Sequence, residues 1–340
     1  MSNYSTILKK CDNEGIKAAA ELLKSGELVA IPTETVYGLA ANALDENAVK
    51  NIFAVKGRPQ DNPLIVHISD IDMWRPLVKE LSPDAIKLAE SFWPGPLTII
   101  LPKSDKVPDT TTAGMDSVAV RMPSHEGARA IIKASGVPIA APSANLSGSP
   151  SPTSAEHCVN DLSGKIPLII DGGECSVGIE STVVSLVGEP TLLRPGAITS
   201  DMMSKALGKE VKISHAVSEP LKEGERPTSP GMKYRHYAPN AKVVLVESTL
   251  EQFEQLLNSA PDKTVGLVFE NEQKNINKPC IVYGREHDPE SQARDIFSAL
   301  RKIDESDAKL VYARCPDRDN ASLGVLNRML RAAAFEVIKL

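Results

Sequence analysis

The chain has 340 residues, enough for about two domains of ordinary size. Its 38 lysines and arginines against 44 aspartates and glutamates give a net charge of −6, which excludes a chain-wide basic surface of the kind that binds nucleic acids. With 42% hydrophobic and 24% charged residues the composition is that of a globular protein, and 4% aromatic residues are few for base-stacking platforms.

The cysteines are odd in number, widely spaced and without a C-x-x-C pair. This pattern argues against both a disulfide framework and a structural zinc site. No run of 18 uncharged apolar residues occurs, and the first residues lack the apolar core of a signal peptide. These features predict a soluble, cytoplasmic protein without membrane association.

Short apolar strands alternate with helical patterns from residue 12 to about residue 200, which is typical of a mixed α/β fold. Capping residues, stop signals and the spacing of apolar residues set the bounds of each element. In chain order they predict helix 14–24, strand 28–31, helix 46–56, strand 64–68, helix 83–92, strands 97–101 and 118–122, helices 125–134 and 154–162, and strands 168–171, 181–187 and 191–194.

The composition changes after residue 205. Residues 224–240 are rich in proline, glycine and cations and lack apolar periodicity, which predicts an extended linker. Further strands (243–247, 264–269, 280–283 and 309–313) alternate with helices, of which one begins at Asp288-Pro289 and the last at about Ser322. The predicted organisation is an α/β domain of residues 1–205, a linker of residues 206–241 and a smaller Rossmann-like α/β domain of residues 242–340.

Two cations stand close together at the end of the second predicted helix. Lys56 continues the apolar stripe of Val49, Ile52 and Phe53, so it points where a hydrophobic residue is expected. Such a lysine is commonly one that buries its stem at a helix end. Arg58 nearby favours the other interpretation, a pair of cations that binds a phosphate.

Two predicted strands each carry one polar residue inside an apolar run. His67 lies in LIVHI and Arg121 in VAVRM. A lone buried histidine is more often a satisfied core residue than a functional one, but a buried arginine is rare without a carboxylate or a ligand beside it. The two residues together predict one shared polar cleft.

The common nucleotide-binding fingerprints, the P-loop and G-x-G-x-x-G after a strand, are absent. In their place residues 141–153 offer hydroxyls, an amide and turn backbone to an anionic ligand, although such a segment on its own is usually an exposed loop. GIEST (178–182) and RPG (194–196) add hydroxyls and an arginine at strand ends, where open α/β sheets bind ligands.

Taken together and in this order, eight segments resemble the YrdC/Sua family of L-threonylcarbamoyladenylate synthases, in its longer two-domain form. The resemblance covers essentially the whole chain and implies a twisted, open α/β sheet around a deep cavity lined by positive charge. The segments are PTETVYGLAANA (32–43), KGRPQDNPLIVHI (56–68), SFWPGPLTIIL (91–101), VAVRMPSH (118–125), APSANLSGSPSPT (141–153), GIESTVV (178–184), LLRPGAI (192–198) and SPGMKYRHYAP (229–239).

The resemblance implies a reaction of L-threonine, bicarbonate or carbon dioxide, and ATP that yields threonylcarbamoyl-AMP and pyrophosphate. Mg²⁺ is expected to accompany ATP rather than to occupy a site built from protein carboxylates. A separate, transient partner complex is expected to transfer the threonylcarbamoyl group to adenosine 37 of ANN-decoding tRNAs, giving t6A, so stable tRNA binding is not required.

The same resemblance implies roles for individual residues. The catalytic groups are Lys56, Arg58, His67 and Arg121. Threonine is expected to contact Thr35, His67, Arg121, the backbone at Ala141, and Ser181, and ATP is expected to contact Lys56, Arg58, Asn62, Ser117, Ser143, Asn145, Ser151 and Arg194. The linker is expected to close the cavity as a lid, with Tyr234 and His236 reaching inward.

Three points stay open at the level of sequence. The chain could be an RNA-binding module of YrdC type, although its net charge and few aromatic residues weigh against this. A carbamoyltransferase with an embedded YrdC-like domain would carry zinc-finger segments, and no C-x-x-C pair is present. The proton acceptor for the threonine amine is not identified; His67 is a candidate, and the amine could also lose its proton through desolvation alone.

Overall fold

The chain folds into two β-sheets that pack against helices. The structure is a computed structural model, and it describes residues 4–219 and 237–340. The larger unit contains strands β1 (Ile7–Lys10), β2 (Val29–Ile31), β3 (Gly38–Asn42), β4 (Ile65–His67), β5 (Leu97–Pro102), β6 (Ser117–Arg121), β7 (Ile139–Ala140), β8 (Leu168–Asp171), β9 (Thr182–Ser185), β10 (Thr191–Arg194) and β11 (Lys212–Ile213). Its helices are α1 (Asn13–Lys24), α2 (Glu46–Lys56), α3 (Pro83–Phe92), α4 (Asp109–Thr112), α5 (Glu126–Ser135), α6 (Ala155–Leu162) and α7 (Ser200–Leu207).

The smaller unit follows the undescribed residues. Its elements are β12 (Lys242–Glu247), α8 (Leu250–Asn258), β13 (Thr264–Val268), β14 (Cys280–Val282), α9 (Pro289–Asp304), β15 (Leu310–Arg314), α10 (Leu323–Ala332) and β16 (Val337–Lys339). The strands form a parallel sheet in the order β14-β13-β15-β12-β16. Together with the mixed sheet of the larger unit, this confirms the predicted α/β fold class with a second α/β domain.

The register of the large sheet places three polar side chains in one row. Its strand order is β1-β8-β2-β3-β7-β4-β6-β5-β9-β10-β11. His67 of β4 stands opposite Arg121 at the carboxyl end of the parallel strand β6, and Thr98 of the antiparallel strand β5 stands opposite Arg121 on the other side. Because paired residues of neighbouring strands project to the same face, the three side chains share one side of the sheet.

Helix α2 shows how the local sequence fixes an element next to this row. Asp45 caps its first turn by accepting hydrogen bonds from the N–H groups of Asn47 and Ala48. The helix ends at Gly57, which adopts a left-handed backbone (φ 61°) that favours glycine. Lys56 therefore sits in the last turn on the buried face, as its spacing in the sequence predicts.

The sequence pattern did not predict every strand. Strand β3 has the sequence GLAAN, which has low β-propensity, and it is held by antiparallel pairing with β2 on one side and β7 on the other. Strand β1 pairs with the parallel strand β8 at the edge of the sheet. Strand β1 and one side of β3 depend on partners distant in the chain, which local patterns do not reveal.

The predicted linker of residues 206–241 includes residues 220–236, which lie outside the described part of the chain. Its first part carries the end of α7, strand β11 and a 3₁₀ turn at His215–Val217, and β11 pairs parallel with β10 of the large sheet. The domain boundaries at 205 and 242 stay predictions. Within the described residues, no helix is long and apolar enough to cross a membrane.

The two units share a packed interface. Val36 and Ile179 of the larger unit are buried within the hydrophobic core of the smaller one. Arg301 of α9 forms a bidentate ion pair with Asp161 of α6, with N–O distances of 2.8 and 3.1 Å. The smaller unit is therefore joined to the larger one by both apolar and ionic contacts.

Gly178 lies close to the backbone of α9 at this interface. It has φ +82°, and a Cβ added there would lie 2.3 Å from the Arg294 Cα and 2.4 Å from the Ala293 carbonyl oxygen of α9. Gly188 has the same φ of +82°, but an added Cβ would meet nothing within 4 Å. An alanine at either position has the energetic cost of the left-handed backbone, whereas only an alanine at Gly178 also has the cost of the close approach.

We expect Gly188→Ala to lower the free energy of unfolding by about 1 kcal/mol, the cost of a left-handed backbone for an L-residue. Gly178→Ala adds a collision between backbones and is expected to cost at least about 3 kcal/mol. Urea unfolding of both variants measures the difference. Equal losses in the two variants would show that α9 does not pack against this loop.

Candidate active site

A cavity opens at the carboxyl ends of β4, β6 and β10. It lies where open α/β sheets usually bind ligands. Its lining includes these polar residues: Thr33, Thr35, Arg58, His67, Arg121, Ser143, Asn145, Ser149, Ser151, Glu180, Ser181, Arg194 and Tyr237. Most of the residues that the sequence assigned to threonine and ATP therefore meet in one place.

Arg121 forms one wall of this cavity and is 3% exposed. One Nη donates to the Thr35 hydroxyl at 2.8 Å, the other lies 2.7 Å from Glu34 Oε1, and Nε donates to the Gly95 carbonyl at 3.3 Å. Burial alone would raise the pKa of Glu34, but the charge of Arg121 and hydrogen bonds to Arg121 and to backbone groups together outweigh it and keep that pKa below its ordinary value. Glu34 is therefore an anion that fixes the guanidinium.

His67 lies beside Arg121 and is neutral. Burial, reinforced by the positive charge of Arg121, lowers the pKa of His67 to about 3. Its Nδ1 is 3.2 Å from the Ile65 carbonyl oxygen, which a neutral ring satisfies by donating from Nδ1–H. The other ring nitrogen, Nε2, is then a hydrogen-bond acceptor rather than a cation.

Ser181 and Arg194 form another part of the cavity wall. Arg194 donates from Nη2 to the Ser181 hydroxyl at 3.1 Å and from Nε to the Ser181 carbonyl at 3.0 Å. The Ser181 hydroxyl also lies 2.8 Å from the hydroxyl of Thr98. Burial lowers the pKa of Arg194 to about 10, so this guanidinium stays charged at neutral pH.

Glu180 introduces a carboxylate into the same wall. Its Oε1 accepts a hydrogen bond from the Ser151 hydroxyl at 2.5 Å, and its Oε2 lies 2.9 Å from Nε of Arg328 in helix α10. Burial would raise the pKa of Glu180, but the charges of Arg328 and Arg194 hold it below its ordinary value. An anion is therefore present in the same cavity as the guanidinium groups of Arg58, Arg121 and Arg194.

The serine-rich segment forms a folded loop along the cavity rather than an exposed one. Asn145 is 5% exposed, and its side-chain N–H groups donate to the carbonyls of Leu146 and Ser149 at 2.7 and 2.9 Å. Lys56 reaches the loop from behind, where its ammonium donates to the carbonyls of Ser143 and Asn145. Burial, together with the charge of Arg58, lowers the pKa of Lys56 well below its ordinary value.

The structure separates the two cations that the sequence paired. Arg58 lines the cavity and donates to the Pro63 and Asn62 carbonyls at 3.2 and 3.4 Å. Lys56 borders a different cavity on the far side of the 143–147 loop. In this structure, Lys56 therefore shapes the loop, whereas Arg58 faces the ligand space.

Three further predicted contacts lie around this cavity. Ser117 borders a smaller neighbouring cavity that shares Pro63 and Leu64 with the main one. Asn62 is 1% exposed and outside the residues that line the main cavity. Ala141 lines the cavity, but its N–H already donates to the Ile65 carbonyl at 3.1 Å.

The predicted lid residues Tyr234 and His236 lie outside the described residues. Tyr237, the first described residue after them, lines the cavity, is 5% exposed and packs on Phe297 of α9 with ring centroids 5.1 Å apart. The chain thus returns from the undescribed segment directly at the ligand space. This is where a lid would have to be attached.

Sequence reasoning missed both buried carboxylates of the site. Glu34 lies in PTETVYG and is 6% exposed, and Glu180 lies in GIEST and is 7% exposed. A signal was available, because each acidic residue interrupts a segment that otherwise consists of apolar and hydroxyl residues. Their partners, Arg121 and Arg328, lie far away in the chain, so the pairing itself was not readable.

Within residues 4–219 and 237–340 no group of three or more His, Cys, Asp or Glu side chains is placed to hold a metal ion. Glu180 already engages Arg328 and Ser151. The donor set of the cavity therefore fits a metal that arrives on a phosphate ligand better than one held by protein carboxylates.

Comparison with known proteins matches both parts of the chain. Residues 21–196 match the family described as "Telomere recombination", and residues 198–334 match the one described as "Threonylcarbamoyl-AMP synthase, C-terminal domain". The threonylcarbamoyl-AMP synthase of Pyrococcus abyssi is 45% identical over the whole of both chains, and that of Bacillus subtilis is 44% identical over 95% of this chain and 94% of its own.

A solved structure gives the same result. The crystal structure of P. abyssi Sua5 complexed with L-threonine has a TM-score of 0.89 to this protein, with 44% identity over 98% of each chain. Sequence and fold thus agree along the full length of the relatives. The chain belongs to the threonylcarbamoyl-AMP synthase family.

Proposed function

We propose that this protein makes threonylcarbamoyl-AMP and pyrophosphate from L-threonine, bicarbonate or carbon dioxide, and ATP in the cavity between Arg121 and Arg194. Its relatives are named for this product, and P. abyssi Sua5 was crystallised with L-threonine. The observation that carries the assignment of the cavity is the buried guanidinium of Arg121, fixed by Glu34 and Thr35 and facing open space.

Arg121 is proposed to bind the threonine carboxylate. Within the described chain, contacts to Gly95, Thr35 and Glu34 occupy three of its five N–H donors, which leaves two for a bidentate contact. The neutral Nε2 of His67 beside it supplies an acceptor for the threonine hydroxyl. Such a pairing distinguishes threonine from an analogue without the hydroxyl, because the buried acceptor would otherwise lose its partner.

Arg58, Arg194 and the 143–151 loop are proposed to bind ATP. The two guanidinium groups supply fixed positive charge for the phosphates, and the loop supplies hydroxyl and amide groups. Lys56 holds the loop in place from behind. Mg²⁺ is proposed to enter with the phosphates and to offset part of their charge there.

The threonine amine must lose a proton before it attacks carbon dioxide. His67 with a pKa of about 3, and Glu34 and Glu180 with lowered pKa values, are all weak bases. We therefore infer that desolvation in the cavity, next to the charge of Arg121, lowers the pKa of the amine so that its proton passes to solvent on entry. The neutral amine adds to carbon dioxide and releases a second proton to solvent, which gives the carbamate. A carbamate oxygen then attacks the α-phosphate of ATP, the bond from that phosphorus to the bridging oxygen breaks, and pyrophosphate leaves.

The product is a mixed anhydride, and we propose that a separate transferase consumes it to form t6A at position 37 of tRNA. Direct RNA binding, the alternative reading of the sequence, fits the cavity poorly. Arg121 and Arg194 are 3 and 7% exposed, whereas a phosphate backbone needs cations on the surface. The net charge of −6 also weighs against direct RNA binding.

Incubation of the purified protein with ATP, bicarbonate and L-threonine is expected to release pyrophosphate and form threonylcarbamoyl-AMP, as detected by mass spectrometry. Replacing threonine by 2-aminobutyrate, which lacks the hydroxyl, should lower kcat/KM by about 10⁴-fold, and serine, which lacks the methyl group, by only about 10- to 200-fold. Absence of threonine-dependent product would refute the proposed function. A larger loss with serine than with 2-aminobutyrate would refute the role of His67.

Arg121→Lys keeps the charge beside Glu34 but removes the planar fork. We expect the KM for threonine to rise by about 100-fold, with the Kd for ATP within about threefold of wild type, because a lysine cannot bind a carboxylate bidentately. Steady-state kinetics and calorimetry measure the two constants. Arg129→Lys is the control, since Arg129 donates to the carbonyls of Pro123 and Ser124 outside the cavity. An unchanged threonine KM in Arg121→Lys would contradict the assignment.

The lowered pKa of His67 also affects stability. Below about pH 6.5 the unfolded chain binds a proton at this residue that the folded chain does not bind, so the free energy of unfolding falls as pH falls. Between about pH 7.5 and about pH 5, His67 alone accounts for a fall of about 2 kcal/mol. We expect His67→Gln to lose this part of the pH dependence.

Urea unfolding followed by the fluorescence of Trp74 and Trp93, both buried in the larger unit, measures the effect. His287→Gln is the control, because its hydrogen bond and ion pair with Asp317 raise the pKa of His287, so its contribution has the opposite sign. The control should leave the fall at acid pH at least as large as in wild type. An equally steep fall in His67→Gln would show that His67 is protonated in the folded protein.

A further inference from the structure

Helix α10 belongs to the smaller unit, but one of its side chains ends in the wall of the active site. Arg328 is 0% exposed and donates from Nε to Glu180 Oε2 at 2.9 Å and from Nη2 to the Glu180 carbonyl at 3.1 Å. Its Nη1 donates to the Pro195 carbonyl at 2.6 Å. Arg328 thus contacts Glu180, which directly precedes Ser181, and Pro195, which directly follows Arg194.

Glu180 connects this arginine to the ligand space. It lines the cavity, and its second carboxylate oxygen accepts the hydrogen bond from Ser151. Arg328 itself is not among the residues that line the cavity. Arg328 therefore acts on the site through Glu180 and not by touching a ligand.

The charge of Glu180 is unfavourable for the proposed substrates. ATP and threonine bring a triphosphate and a carboxylate, and an uncompensated carboxylate in the wall would repel both. The charged and titratable groups that face Glu180 are Arg194 from β10, Arg328 from α10 and the Tyr237 hydroxyl that follows the undescribed segment. Of the two arginines, Arg194 also faces the cavity, so Arg328 is the cation that balances Glu180 from outside it.

We propose that Arg328 is a positioning residue for the nucleotide: it neutralises Glu180 from the side of the smaller unit and leaves the charge of Arg194 for the phosphates of ATP. This inference rests on the proposed function. It gives the smaller unit a defined part in the reaction, because a side chain of α10 balances the charge of a carboxylate in the active-site wall. It also accounts for a buried ion pair that hydrophobic residues of similar volume could replace without loss of stability.

Steady-state kinetics of the full-length protein test the proposal. In Arg328→Met the uncompensated Glu180 is expected to raise the KM for ATP by at least about tenfold, with a smaller change in kcat. In the double variant Glu180→Gln/Arg328→Met the repelling carboxylate is removed together with its partner, and the KM for ATP is expected to return to within about threefold of wild type. A bracing role through packing alone predicts the opposite order, with the double variant at least as impaired as the single one.

Arg331→Met is the matched control. Arg331 lies one turn further along α10 and donates across the same interface to the Ala216 carbonyl at 3.0 Å, and Ala216 is outside the residues that line the cavity. Its KM for ATP is expected to stay within about twofold of wild type. Should Arg328→Met fail to fold, the double variant decides alone, since it removes both partners of the buried Glu180–Arg328 ion pair.

A failure of this inference can be distinguished from a failure of the proposed function. Wild-type protein that forms no threonylcarbamoyl-AMP overturns the function. Active wild-type protein overturns only the inference if the ATP KM of Arg328→Met is within twofold of wild type, or if that of the double variant stays raised about tenfold. A raised KM in the single variant with recovery in the double variant supports it.

Discussion

Arg121 carries a permanent charge into an interior that leaves 3% of its surface exposed. Burial of such a charge is costly unless partners surround it, and the structure supplies them from elements distant in the chain: Glu34 after β2, the Thr35 hydroxyl and the Gly95 carbonyl before β5. Burial, reinforced by the same charge, keeps His67 neutral. One guanidinium thus acts on the charge state of its neighbours and on the chemistry that this side of the cavity can offer.

Charge is arranged differently inside the molecule and on its surface. The chain carries a net charge of −6, yet the cavity contains Arg58, Arg121 and Arg194. The net charge weighs against an anionic partner as large as a nucleic acid. The same argument does not apply to small anions that enter a cavity. Among the described residues that line the cavity, Glu180 is the one carboxylate, and its charge is paired with a cation from the smaller unit.

Local patterns predicted most elements, and they predicted the meeting of His67 and Arg121, because a polar residue inside an apolar strand is visible in the sequence. The register that sets them opposite each other on parallel strands is not visible there. Lys56 was recognised as buried, but whether its ammonium faces a ligand or a loop carbonyl depends on residues about 90 positions away. Glu34, Glu180 and Arg328 were missed for the same reason, since each acquires its meaning from a distant partner.

The central claim is that threonine and ATP meet in the cavity between Arg121 and Arg194. A crystal structure of the protein with L-threonine, Mg²⁺ and a non-hydrolysable ATP analogue tests it most directly. The account predicts the threonine carboxylate within about 3 Å of the Arg121 guanidinium and the phosphates on the side of Arg194 and the 143–151 loop. A threonine carboxylate bound away from Arg121, or a nucleotide outside this cavity, would contradict it.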